Sequence, residues 1–334
     1  MSGLRIAVVG ASGAVGEEVL RVLEQRRTPV DELRLFASER SAGTTMAFAG
    51  ADHPVRTASA EGFAGIDFAI FSAGAGVSRA LAPAAVAAGA VVVDNSSAFR
   101  MDEGVPLVVP EVNPEALAAH RGLIANPNCS TILLCLALAP LQRAAGLSRV
   151  LVATYQAASG AGRRAVDELR ASTARHLAGA APLPPEALPH SLAFNLFARI
   201  DSFGADGYTR EEDKLQRESR KILGLAALPV EATCVRVPVE RCHAEAVTVE
   251  LQRPLEPAAA RALFAGAAGL TVEDDPERDL HPQPVAHSGR DAVAVGRVRG
   301  SRVFRPGLTF WLVGDQVRKG AALNAVQIVE ALAR

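Results

Sequence analysis

The chain has no excess of charge: 35 lysines and arginines stand against 36 aspartates and glutamates, a net charge of −1 over 334 residues. There is no lysine or arginine block, so nothing marks a nucleic-acid or anionic-membrane surface, both of which call for clustered positive charge. No apolar stretch reaches the roughly 20 residues that a membrane-spanning helix requires. An apolar run starting at Leu4 leaves no room for a signal peptide after Met1, and a cytoplasmic protein is expected. Cysteine is scarce. The four residues at 129, 135, 234 and 242 make no C-x-x-C pair and no His/Cys cluster with zinc spacing, so reduced thiols and no metal site are expected. Internal repeats and low-complexity segments are also lacking. What the chain has is apolar residues, 49% of the total, enough for a sizeable core and a length that suits two domains.

The first feature present is Gly10-Ala11-Ser12-Gly13-Ala14-Val15-Gly16, preceded by an apolar run at 4–9 and followed by the helical pattern Val15, Val19, Leu20, Leu23. Strand, glycine turn and helix come in the order a phosphate cradle needs, because glycine lets the backbone approach a pyrophosphate and the helix N-terminus supplies N–H donors. The spacing is G-x-x-G-x-x-G, which also suits a tight turn in any parallel-sheet domain. A second strand at 33–36 leads into Ala37-Ser38-Glu39-Arg40-Ser41, where a ribose-reading residue is expected. Glu39 suits a ribose 2′-hydroxyl. Arg40 with Ser38 and Ser41 suits a 2′-phosphate, and NADP(H) is the preferred cofactor.

Further strands are expected at 67–71, 90–93 and 122–125, with an alanine-rich helix at 77–88, the alternation of a doubly wound sheet. Then comes Asn126-Pro127-Asn128-Cys129-Ser130-Thr131, with the apolar helical run 132–138 behind it. A thiol at a helix start meets unpaired N–H groups and the positive end of the helix dipole, which favour the thiolate. Cys129 therefore reads as a nucleophile, against the plainer alternative of a small buried capping residue. Beyond it, longer alternating segments at 150–157, 233–237, 246–251 and 308–313 imply a mixed or antiparallel sheet. Helices are expected at 210–223 and 320–332. The fold class is α/β: an N-terminal Rossmann-type dinucleotide-binding domain, residues 1–128 with a C-terminal helix at about 318–334, plus an α+β catalytic and dimerisation domain with a mixed sheet, residues 129–317.

With these segments go Thr154-Tyr155-Gln156-Ala157-Ala158-Ser159-Gly160-Ala161-Gly162, Glu211-Glu212-Asp213-Lys214, Arg236-Val237-Pro238-Val239-Glu240-Arg241-Cys242-His243 and Arg318-Lys319-Gly320-Ala321-Ala322-Leu323-Asn324-Ala325-Val326-Gln327. Together, in this order and spanning essentially the whole chain, they resemble the aspartate-semialdehyde dehydrogenases. The resemblance implies an NADP-dependent homodimer that reductively dephosphorylates aspartyl 4-phosphate to aspartate 4-semialdehyde, with release of phosphate, in lysine, methionine and threonine biosynthesis. It assigns the attacking thiol to Cys129, the acid/base to His243, and orientation of the substrate to Gln156. Arg236 would bind the substrate carboxylate, Glu211 its ammonium group, and Lys214 with Arg100 its phosphate. Asn128 either helps hold that phosphate or caps the helix. Gly10, Ser12, Gly13, Ala14, Val15, Ser38, Arg40, Ser41, Ser159, Gly160 and Gln316 would touch the cofactor. Without the resemblance, Glu211 and Lys214 read as an ordinary solvated i, i+3 pair, and Gln156 as a polar strand end.

Three other readings share the pattern. N-acetyl-glutamyl-phosphate reductase performs the same chemistry, but a resemblance to it calls for glycine before and tyrosine after the cysteine, where this chain has Asn128 and Ser130. A malonyl-CoA reductase shares much of the scaffold; Arg236 and the Glu211/Lys214 pair favour an amino-acid phosphate over a CoA thioester. A non-catalytic nucleotide-binding paralogue needs the thiol and the imidazole held apart.

Overall fold

The computed structural model describes residues 3–333 and divides into two units, Met1–Asn128 with Gly320–Arg334, and Cys129–Lys319. The first unit runs β1 (Leu4–Val9), α1 (Ala14–Gln25), β2 (Val30–Ala37), β3 (Thr45–Phe48), β4 (Ala51–Thr57), β5 (Phe68–Phe71), α2 (Ala75–Ala87), β6 (Val91–Asp94) and β7 (Leu123–Ala125). Its sheet has the order β3-β4-β2-β1-β5-β6-β7, parallel except for the β3–β4 pair. Both faces of β1 are covered, as a central parallel strand requires. Ile6 and Val8 pack with α1 and the chain's terminal helix, while Ala7 and Val9 pack with Phe63, Phe71 and α2.

The glycine turn after β1 is forced by space. Gly10 has φ +87°, and a Cβ on it would fall 2.5 Å from the carbonyl oxygen of Ser72. A Cβ on Gly16 would fall 2.3 Å from the Gly10 oxygen, so α1 can sit directly on the turn only without a side chain there.

The second unit opens with α3 (Cys129–Ala145) and continues through β8 (Leu147–Gln156), α4 (Arg163–Leu177), α5 (Arg210–Leu223), β9 (Val230–Arg236), β10 (His243–Leu251), α6 (Pro257–Ala265), β11 (Leu270–Val272), α7 (Pro284–His287), β12 (Val293–Gly300) and β13 (Gly307–Gly314). The sheet order is β11-β12-β13-β10-β8-β9, with β8–β9 and β11–β12 parallel and the other pairs antiparallel. Its core face is built in cross-strand rows. Val230, Val150, Val249 and Leu308 form one, and Ala232, Val152, Val247 and Phe310 the next. The third row turns polar, with Cys234, Thr154, Glu245 and Leu312, and the fourth carries Arg236, Gln156, His243 and Gly314. The helix α3 packs on β8, β10, β12 and β13, and α5 packs on β9. The opposite face stays partly exposed, with Tyr155 and Trp311 in ring contact at 5.4 Å and Leu151 exposed on the same face of β8.

Several elements differ from the sequence expectation. The β3–β4 hairpin, α4, the edge strand β11 and its neighbour β12 were not anticipated. The terminal helix, expected at 320–332, starts as a wide π-type turn over Arg318–Ala322 and becomes α-helical, as α8, over Leu323–Leu332.

Candidate active site

Cys129 is the first residue of α3 and is partly exposed. The other three cysteines are buried, and burial raises their thiols well above the ordinary range, Cys242 to about 12. At neutral pH those three stay protonated, whereas Cys129 sits among the N–H groups of a helix start that favour a thiolate.

The fourth row of the sheet brings three of the sequence-assigned residues onto one face. Gln156 is in register with Arg236 across the parallel β8–β9 pair, and His243 continues the row next to the Ala244–Tyr155 pair. Gln156 donates from Nε2 to Ser130 Oγ (2.9 Å), adjoining the cysteine, and to Glu211 Oε1 (3.2 Å). Arg236 donates to the Ala157 carbonyl at 2.6 Å. Burial lowers its pKa, opposed first by the negative charge of Glu211 and then by Cys129, so guanidinium, carboxylate and thiol lie within electrostatic reach. Gly160 closes the group: a Cβ there would sit 3.0 Å from Arg236 Nη1 and 3.1 Å from His243 Nε2.

His243 is completely buried. Burial, then the neighbouring Arg236 charge, push its pKa well below 6.5 against the opposing pull of the Cys242 backbone, so the ring is neutral at neutral pH. Its Nδ1 accepts a hydrogen bond from the Ala157 N–H at 3.1 Å. A nitrogen that accepts carries no proton, so the neutral ring bears its proton on Nε2, which has no hydrogen-bond partner among the described residues. In this tautomer the imidazole is a donor. The residue before it, Cys242, has φ +75°, a left-handed conformation of the kind that concentrates at functional sites.

Glu211 and Lys214 are not a solvated pair. Glu211 is buried at the start of α5, whose capping box is Thr209 with Glu212. Lys214 Nζ donates to Glu211 Oε2 (3.0 Å) and to Asp201 Oδ2 (2.9 Å). Burial works against the ammonium charge, but these two carboxylates outweigh it and hold the lysine pKa above its ordinary value.

Ser159, Gly160 and Gln316 belong to the second unit, and the other cofactor assignments to the first. Gln316 is buried, with Oε1 accepting from the Cys242 N–H (2.8 Å) and Nε2 donating to Ser159 Oγ. In the first unit, Gly10, Ser12 and Gly13 form the turn into α1, whose first residues are Ala14 and Val15 and whose start no side chain caps, the setting of a phosphate cradle. Ser12 Oγ donates to Ser41 Oγ at 3.1 Å. A cavity of about 520 Å³ is lined by Gly10, Ser38, Glu39, Arg40, Thr57 and Ala58, among others, which suits the adenosine end of a dinucleotide. Arg100 and Asn128 also lie in the first unit and are buried.

Sequence reasoning missed Asp201, which lies in a long irregular segment with no pattern to read. It also missed Glu245, whose alternation with Val247, Val249 and Leu251 marks a core-facing position on β10.

Comparison with known proteins follows the same division. The family described as semialdehyde dehydrogenase, NAD binding domain, matches residues 5–120, and the semialdehyde dehydrogenase dimerisation domain matches residues 138–319. The aspartate-semialdehyde dehydrogenase of Aquifex aeolicus (strain VF5) is 49% identical over 335 residues, covering 99% of this chain and 98% of the relative. That of Bacillus subtilis (strain 168) is 47% identical over 338 residues, covering 99% and 97%. The crystal structure of aspartate semialdehyde dehydrogenase II complexed with ASA from Vibrio cholerae superposes with a TM-score of 0.96 at 44% identity, covering 100% of this chain and 99% of that one.

Proposed function

This chain belongs to the aspartate-semialdehyde dehydrogenase family, and from that premise we propose that it reduces L-aspartyl 4-phosphate to L-aspartate 4-semialdehyde with NADPH, releasing phosphate. The observation that carries the reading is the row Arg236, Gln156, His243 closed by Gly160, with Arg236 within electrostatic reach of the helix-start thiol.

The Cys129 thiolate attacks the acyl carbon and the C–O bond to phosphate breaks, leaving a thioester and free phosphate. NADPH supplies, when bound, the hydride that reduces the thioester carbon. As charge builds on the carbonyl oxygen, the His243 Nε2–H hydrogen-bonds to it while keeping its proton, and the tetrahedral oxyanion then collapses to aldehyde and Cys129 thiolate. Of the tasks expected of this histidine, the Nε2–H tautomer is unsuited to deprotonating the thiol and serves the reduction and collapse step instead, as a hydrogen-bond donor to the oxyanion. Arg236 offers a planar fork for the substrate α-carboxylate. Glu211 attracts its ammonium group, and Gln156 orients the acyl group through an uncharged amide. Lys214, Arg100 and Asn128 are the residues assigned to the phosphate. Arg40, with Ser38 and Ser41, favours the 2′-phosphate of NADP.

The test is the reverse reaction. With purified protein, phosphate and NADP, aspartate semialdehyde should give phosphate-dependent NADPH formation, and N-acetyl-glutamate semialdehyde should give almost none; preference for the latter would reassign the substrate. We also infer a homodimer, supported by the match to a dimerisation domain and by the half-exposed face carrying Tyr155, Trp311 and Leu151. Light scattering should return twice the chain mass, and a monomer at working concentration would refute it.

A further inference from the structure

We propose that Asn324, on α8, is a positioning residue for phosphate binding, acting through a one-directional relay of buried side-chain amides that fixes the seat of Arg100. The proposal rests on the assignment of Arg100 to the substrate phosphate.

Asn95 and Asn126 are the residues immediately after the adjacent parallel strands β6 and β7, whose last residues, Asp94 and Ala125, are in register. They stand at the carboxyl edge of the sheet, where open α/β folds bind their ligands. Arg100 is held on their backbones: Nε donates to the Asn126 carbonyl (3.0 Å) and Nη2 to the Asn95 carbonyl (2.8 Å). Two bonds to two separate chain segments fix the plane of the guanidinium, provided the segments keep their spacing.

The side chains of the same two asparagines set that spacing. Asn324 Nδ2 donates to Asn126 Oδ1 (2.7 Å), Asn126 Nδ2 donates to Asn95 Oδ1 (2.7 Å), and Asn95 Nδ2 donates to the Phe71 carbonyl (3.1 Å). Asn324 and Asn126 have no solvent exposure. The direction is set at both ends by backbone carbonyls, because Asn324 Nδ2 also donates to the Val108 oxygen at 2.9 Å. Reversing any one amide would place oxygen against oxygen, so the relay has a single low-energy polarity. A group in α8 thereby determines how β6 and β7 deliver the arginine.

Asn324→Asp keeps the shape and removes the donor. Its carboxylate faces Asn126 Oδ1, and relief by flipping Asn126 sets that residue's oxygen against Asn95 Oδ1. In the reverse reaction with the full-length enzyme, the KM for phosphate should rise about tenfold, while kcat and the KM for aspartate semialdehyde stay within roughly twofold. Asn324→Ser, which removes the amide without burying a charge, should shift the phosphate KM the same way and decides the matter if the charged variant folds poorly. Gln327→Ala cuts another α8 bond, to Glu111 (2.9 Å), and should leave the phosphate KM at the wild-type value. If both Asn324 variants lose thermal stability at wild-type phosphate KM, or Gln327→Ala shifts that KM equally, the relay has no positioning role. Arg100→Ala separates the two claims: a raised phosphate KM there with none in the Asn324 variants overturns the relay alone, and no rise in Arg100→Ala overturns the Arg100 assignment along with it.

Discussion

Cys129→Ala should lower kcat by at least about four orders of magnitude, the scale seen when an attacking group is removed, and leave NADPH affinity nearly unchanged. The two parts of the result have separate origins. Loss of turnover follows because no other thiol can substitute: Cys135, Cys234 and Cys242 are buried and held protonated. Retained affinity follows because the glycine turn, the uncapped start of α1 and the Arg40 cavity all belong to the first unit, away in sequence from α3. Stopped-flow turnover and fluorescence titration of NADPH measure them independently. Residual turnover above about one percent of wild type would rule out the covalent route, since a direct hydride attack on an acyl phosphate gains nothing from the sulfur.

Glu245→Gln should stabilise the protein, and by more as the pH rises. Glu245 is fully buried in the polar row beneath His243, and neither carboxyl oxygen has a hydrogen-bond partner among the described residues. Burial raises its pKa well above 4.5. The unfolded chain ionises this group near its ordinary value while the folded protein keeps it neutral. The stability it carries is therefore complete below about pH 4.5 and is lost progressively as the pH climbs toward the folded value. Glutamine cannot ionise in either state. Relative to wild type the variant should gain roughly 1.4 kcal/mol for each pH unit across that window, read as a difference in thermal midpoint that is near zero at pH 4 and grows toward pH 7. A pH-independent difference would mean that the carboxyl is already charged in the folded protein.

Much of the first sheet is legible in the sequence because its strands are apolar runs between glycine turns. The hairpin β3–β4 is not, since most of its residues are exposed and Pro54 breaks the pattern. The helix α4 escaped for a related reason: only Ala165 and Leu169 are buried in it, too few to show a helical period. At the site, residue types and local settings can be read, such as a cysteine at a helix start or Glu211 and Lys214 within the helix expected at 210–223. Partners cannot. That Lys214 meets Asp201, that His243 Nδ1 meets the Ala157 N–H, and that Asn324 meets Asn126 are consequences of strand register and long-range packing, which no spacing along the chain encodes.

The terminal helix carries one more implication, for biosynthesis. Leu323, Val326, Ile328 and Val329 belong to the hydrophobic cluster that covers Ile6, Val8 and α1, and Glu330 pairs with Arg26 at 2.6 Å. These residues are translated only after the entire second unit. A nascent chain therefore carries its dinucleotide-binding sheet with one oily flank bare while residues 129–319 are being made, an interval in which that flank is open to aggregation or chaperone capture.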